Sequence, residues 1–161
     1  MRTSFGPLLG LVIALSATPA FAEDTAAPPA ITINATAAVV SDYRFRGISQ
    51  TDKTAALQGS LTLTHESGLY VSVWGSSIDS YVTGSFASHQ ELDLIAGFKK
   101  TFSGTTVDVG ALYYVYPKGE QAPFHADFIE PYLAVSHTFG PATAKATINW
   151  SPKQKALALG Q

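Results

Sequence analysis

The chain has no cysteine, which excludes disulfides and thiolate metal sites and is compatible with export to an oxidising compartment. It is also poor in charge: Asp, Glu, Lys and Arg make up 14% of it, against roughly 25% in soluble domains. The balance is slightly acidic, so there is no basic footprint for nucleic acid. Past residue 22 no apolar run approaches the ~20 residues that a spanning helix needs. Helix signals are nearly absent, and with them the strand-to-helix phosphate loops and dinucleotide fingerprints of nucleotide-binding enzymes. Yet 46% of the residues are hydrophobic, so the apolar surface must be spread over short segments.

The start of the chain has its own pattern. Arg2 gives a positive beginning, residues 8–15 are apolar, and Ala20-Phe21-Ala22 precedes Glu23. This reads as a secretory signal peptide over residues 1–22, its apolar run being too short for a membrane anchor. Removing Arg2 takes Lys+Arg from 10 to 9 against 12 acidic residues, a net charge of −3 on about 139 residues, enough for one domain. Residues 23–30 read as a linker, 31–150 as a run of strands, and 151–161 as a loop-like tail.

The strands announce themselves by a two-residue period. In the first run, 31–43, Ile31, Ile33, Ala35, Ala37 and Val39 alternate with Thr32, Asn34 and Thr36. In the second, 56–65, Leu57, Leu61 and Leu63 oppose Gln58, Ser60, Thr62 and Thr64. Glu66-Ser67-Gly68 then turns the chain into a third run from Leu69 to Trp74. A fourth run carries Leu92, Leu94, Ala96 and Phe98 on one face, and Ser103-Gly104 leads into a fifth containing Val107, Val109, Ala111 and Tyr113. The sixth, 128–137, contains Pro131, a residue that argues against a central strand. The seventh, 142–150, follows Phe139-Gly140-Pro141.

Connections alternate between short (66–68, 103–105, 138–141) and long (44–55, 75–89, 117–126). Transmembrane β-barrels sort their loops in this way, and strands of nine to eleven residues suit the hydrocarbon thickness where ~5–6 is usual in soluble proteins. The expected fold is therefore an all-β, antiparallel, up-and-down transmembrane barrel. With about seven strands, an odd number, it is expected to be incomplete in this chain: an open, curved sheet, the chain itself being truncated. Leu61, Val71, Leu94, Val109, Leu133 and Ile148 would face lipid. Asp42, Arg44, Arg46, Glu91, Asp93, Asp108, Glu130 and Lys145 would form a charged cluster in the lumen, with Asp42, Arg44 and Arg46 alternating at the end of the first strand. Tyr43, Tyr70, Phe98, Phe102, Tyr113, Tyr116, Phe139 and Trp150, near strand ends, are expected to form aromatic girdles at the membrane interfaces.

Several stretches resemble a bacterial family of outer-membrane porins, mostly conserved hypothetical proteins and sometimes labelled TorF-like. They are Ser41-Asp42-Tyr43-Arg44-Phe45-Arg46-Gly47-Ile48-Ser49-Gln50-Thr51, His65-Glu66-Ser67-Gly68-Leu69-Tyr70 with Trp74-Gly75-Ser76, Glu91-Leu92-Asp93-Leu94, and Tyr113-Tyr114-Val115-Tyr116-Pro117. The resemblance spans roughly residues 30–150, and its first motif is the specific one. It implies an outer-membrane barrel with a channel role, longer than this chain, and no catalytic residues.

Function is then expected to be passive transport, with outer-membrane lipids and small polar solutes or ions as partners and neither enzyme chemistry nor a cofactor. The charged cluster could be a selective constriction or an ion-pair network that fills the barrel and fixes its register. His65, His89, His125 and His137 lack metal-ligand spacing. Ser136 and His137, adjacent on a strand, point to opposite faces and cannot act together as nucleophile and base. Two other readings stay open: a non-conducting barrel with a structural or surface-interaction role, and a periplasmic β-sandwich or lipocalin-like binder whose apolar rows form a soluble core.

Overall fold

The computed structural model describes residues 13–14, 29–120 and 125–157. The expected signal peptide lies outside the described residues except for 13–14, as does the linker except for its last two positions. Seven long strands follow in sequence: β1 (Ile31–Val40), β2 (Ala56–His65), β3 (Leu69–Ser77), β4 (Gln90–Phe102), β5 (Thr105–Val115), β6 (Phe128–Phe139) and β7 (Ala142–Asn149). Each pairs antiparallel with its sequence neighbours, so spatial order equals chain order. The fold is all-β, a single open antiparallel sheet: β7 has no partner beyond β6 among the described residues. Ile13–Ala14 pairs with Val39 and Ala38 on the free edge of β1.

Register keeps the two faces distinct from edge to edge. One outward rung runs Ala35–Leu61–Val73–Leu94–Tyr113–Ile129, strand by strand. An inward rung, one residue on, runs Thr36–Ser60–Trp74–Asp93–Tyr114–Phe128. A slip of one residue in any strand would exchange its two faces, so both rows hold the register. The short turns lie at one end of the sheet, the long connections (41–55, 78–89, 116–127) at the other.

Curvature shows in contacts that cross the concave side. Arg46, from the connection after β1, reaches Glu130 on β6, five strands away in the sheet order. Nearer the short-turn end, a single rung reads Tyr70–Gly97–Gly110–Tyr132. The two tyrosines lie across the glycines, and their hydroxyls meet. A Cβ on Gly110 would stand 2.6 Å from the Ala96 carbonyl oxygen and 2.7 Å from the Tyr132 hydroxyl. Since the first of these is backbone and cannot swing away, Gly110→Ala should destabilise the sheet by about 1–3 kcal/mol, read as a lowered urea midpoint.

Two details depart from the sequence reading. The first strand ends at Val40 instead of reaching Tyr43, because residues 41–43 bend into a separate two-residue ribbon, Arg44–Phe45 against Ile48–Ser49. Its tip, Arg46-Gly47, has positive φ at both residues (49° and 87°), the conformation of a tight hairpin turn. Asp42, Arg44 and Arg46 therefore do not alternate along one strand. Pro131 does sit inside β6, opposite Ala111. It lies one residue past the last β6–β7 pair, Tyr132 with Asn149, where its carbonyl accepts from the Trp150 N–H at 2.9 Å.

Candidate functional site

The distribution of burial reverses that of a soluble protein. The largest fully buried side chains are Glu91, Glu130 and Ser88, while Leu94 (49% exposed), Leu133 (45%) and Ile148 (71%) lie open on the outward face. Leu61, Val71 and Val109 are exposed on the same face. Among the described residues, the only Asp, Glu, Lys or Arg on the outward face of the seven strands is Lys100, near the short-turn end. The inward face carries Glu91, Asp93, Lys99, Asp108, Glu130 and Lys145, set among Thr, Ser, Asn and Tyr.

Toward the short turns the inward face surrounds an open cavity of about 350 Å³, whose lining includes Thr62, Ser72, Lys99, Asp108, Tyr132 and Lys145. Lys99 Nζ pairs with Asp108 at 3.3 Å, and Asp108 also accepts from Tyr70 at 2.8 Å and from Tyr132 at 3.3 Å. Ile95 and Leu112, cross-strand partners, close the upper limit of this space.

Above them the concavity is filled. Ile78, Tyr114 and Tyr116 form a buried cluster with Tyr43, Phe45, Leu112 and Phe128 around it. Tyr114 stacks on Phe128 at 4.2 Å between centroids and meets Phe45 edge-on; Tyr43 meets Trp74 edge-on. Polar groups thread this cluster and most are paired, as buried polar groups must be. One Arg46 guanidinium nitrogen donates to both Glu130 oxygens (2.8 and 2.7 Å), and Tyr114 (3.4 Å), Asn149 (3.2 Å) and Ser151 donate to the same carboxylate. Arg46 also lies over the Phe45 ring at 4.7 Å. Tyr43 donates to Glu91 at 2.8 Å. Burial, with Glu91 alongside, pushes the Tyr43 phenol well above its ordinary value, so it remains a donor.

The connection 41–55 is tied down by Asp42, which accepts from Ser49 (2.5 Å) and Thr51 (3.2 Å) and pairs with Arg44 at 2.7 Å. The Ser49 hydroxyl first, then the Arg44 charge and Thr51, hold the Asp42 carboxyl below its usual 3.8. A depressed carboxylate contributes stability above the ordinary value and loses it as pH falls through the lower one. The connection should therefore resist pepsin at about pH 5 and be nicked at about pH 2, and Asp42→Asn should be nicked at both.

Of the expected charged cluster, the structure brings Arg46 to Glu130, sets Glu91 and Asp93 side by side, and leaves Asp108 and Lys145 around the lower cavity; Arg44 turns to Asp42. The expected aromatic girdles divide. Phe98, Phe102, Tyr113, Phe139 and Trp150 lie exposed on the apolar side. Tyr43, Tyr70 and Tyr116 do not: their hydroxyls seek carboxylates, so the rings turn into the concavity, against Glu91, Asp108 and Glu91 respectively. For Tyr70 and Tyr116 the signal is in the alternation, which sets them opposite Val71 and Val115. Lys99, Tyr114 and Tyr132 join the site without having been expected there, though each shares strand parity with an inward acid. The histidines stay apart, His65 beside Ser67, His125 beside Glu120 and His137 beside Thr105. Among the described residues no three His, Cys, Asp or Glu gather as a metal-binding set.

Residues 23–161 match the profile of a family described as bacterial protein of unknown function (Gcw_chp). No curated protein and no solved structure matches the chain. The match covers all seven strands, so the open antiparallel sheet, with its apolar outer face and carboxylate-lined concavity, is the structure of a chain that belongs to the Gcw_chp family.

Proposed function

We propose that the chain forms the wall of an outer-membrane β-barrel that passes small polar solutes or ions by size and charge alone. The observation that carries this reading is the reversed burial: carboxylates inside on β4, β5 and β6, and leucine, valine or isoleucine outside on all seven strands. In hydrocarbon a sheet must satisfy its backbone within itself and present apolar side chains outward; the second condition fits these strands, and the first requires the sheet to close. An apolar surface of this extent in water would need a second sheet to cover it, and among the described residues the only other sheet is the four-residue ribbon. The resemblance of residues 41–51 to TorF-like porins points the same way.

Closure has a parity condition. β1 and β7 run in the same direction, so an antiparallel barrel requires at least one further strand between them, running against both.

The test is extraction and reconstitution. The protein should require detergent, show a heat-dependent shift in gel mobility, and give discrete current steps in planar bilayers. A monomer soluble in plain buffer would overturn the assignment. One observation favours a second reading, a non-conducting barrel with a structural role: the aromatic cluster and the Arg46–Glu130 pair fill the long-loop end of the concavity. On that reading the reconstituted protein inserts but passes no current.

A further inference from the structure

Two of the inward acids are matched by a cation: Glu130 is held by Arg46 and Asp108 by Lys99. Glu91 and Asp93, two residues apart on β4 and facing the same way, are in no ion pair among the described residues. Glu91 takes the phenols of Tyr43 and Tyr116, while Asp93 sits in the rung between Trp74 and Tyr114. Asp93 is 7% exposed, and its Oδ1 is fully shielded with no hydrogen-bond partner. A buried carboxylate without a donor, next to a second one, is costly unless a proton or a cation joins it. Asp93 lies one inward rung above Ile95 and Leu112, which bound the lower cavity.

We infer that Glu91 and Asp93 bind a small monovalent cation, and that in the channel proposed above this is the point at which cations are selected over anions. The two carboxylates supply the charge, and the rings of Trp74, Tyr43 and Tyr114 around them add the attraction of π-faces for a partly dehydrated ion. No third His, Cys, Asp or Glu stands beside the two acids among the described residues, and aromatic walls in place of further oxygens favour a weakly hydrated monovalent ion over a divalent one, which gives up its waters reluctantly. The binding claim stands on the geometry of β4; only the selectivity claim rests on the channel reading.

Trp74, directly across from Asp93, serves as the reporter. The full chain carries two tryptophans, so Trp150→Phe leaves Trp74 alone to emit. Thallium(I) nitrate is the probe, a potassium-sized ion that quenches indole, titrated into the folded protein in detergent. In this background quenching should saturate and be reversed by potassium. Asp93→Asn should weaken the saturable component by at least about tenfold, since one of two charges is lost, and Asp93→Glu should retain it. Strand content by circular dichroism confirms that each variant is folded, with Glu91→Gln as a second neutralisation if Asp93→Asn is not.

Bilayer reversal potentials under a KCl gradient supply the other arm: cation-selective in the parent protein, near zero in Asp93→Asn. Saturable quenching without any conductance keeps the site and overturns the channel. Conductance with purely collisional quenching, and a reversal potential indifferent to Asp93→Asn, keeps the channel and overturns the site. The loss of both signals overturns both.

Discussion

Leu94→Lys should abolish stable insertion into phospholipid vesicles, while Thr62→Lys, on the opposite face, should insert normally. Leu94 lies in the middle of β4, half-exposed on the outward face, with Val73 and Tyr113 as its cross-strand neighbours. A lysine near the midplane of a bilayer costs roughly 2–4 kcal/mol, and no shift of register can hide it because the whole strand would then turn its acids outward. Thr62 borders the polar cavity, where an ammonium finds water and the Asp108 region within reach. Urea titration of the vesicle-bound protein, together with gel mobility before and after heating, reads both effects.

The contrast separates the membrane reading from a water-exposed sheet. If the outward face met water, Leu94→Lys would fall within about ±0.5 kcal/mol of the parent, as surface substitutions do, and would improve solubility. If that face were buried under a second layer, both the lysine at Leu94 and an alanine there would destabilise, the alanine by cavity formation of about 2–5 kcal/mol. Only a lipid-facing leucine tolerates alanine while refusing lysine. Leu94→Ala is therefore the control that completes the argument.

The strands are legible in the sequence because their physics is local. Alternation over 56–65 marks β2 to the residue, and the turns at Gly68 and Ser103-Gly104 fix where hairpins fold. The same parity assigns Leu61, Leu94 and Val109 to one face and Glu91, Asp93 and Asp108 to the other. Position along the strand misleads: tyrosines near strand ends suggest girdles, although parity already turns Tyr70 and Tyr116 inward. Tyr43 is beyond reach, since the strand stops at Val40 and the chain has already bent away three residues on. The Tyr70–Gly97–Gly110–Tyr132 rung depends on the register of four strands, which no single segment encodes. Arg46 and Glu130, 84 residues apart, meet only because the sheet curls.

That meeting gives the second large effect. Arg46→Ala should open the long-loop end: current steps several-fold larger than the parent's, or steps where the parent gives none. Glu130 keeps Tyr114, Asn149 and Ser151 as donors when Arg46 is lost, and Arg46 itself is more than half exposed, so the cost to stability should be only about 1–2 kcal/mol. Glu130→Ala is different in kind. It strands four donors around an emptied site, and the expected loss is about 3 kcal/mol, the low end for a broken buried pair because Arg46 can swing to solvent. In the double variant the loss should be less than the sum of the two singles, since the Arg46–Glu130 interaction can be lost only once, and that coupling measures the pair. If Arg46→Ala leaves conductance untouched while its stability falls as expected, the ribbon 44–49 lies outside the path of ions and the pair serves the fold alone. If conductance rises, the aromatic cluster under the ribbon is the gate region, and Phe45, which Arg46 covers at 4.7 Å, is the side chain that must move with it.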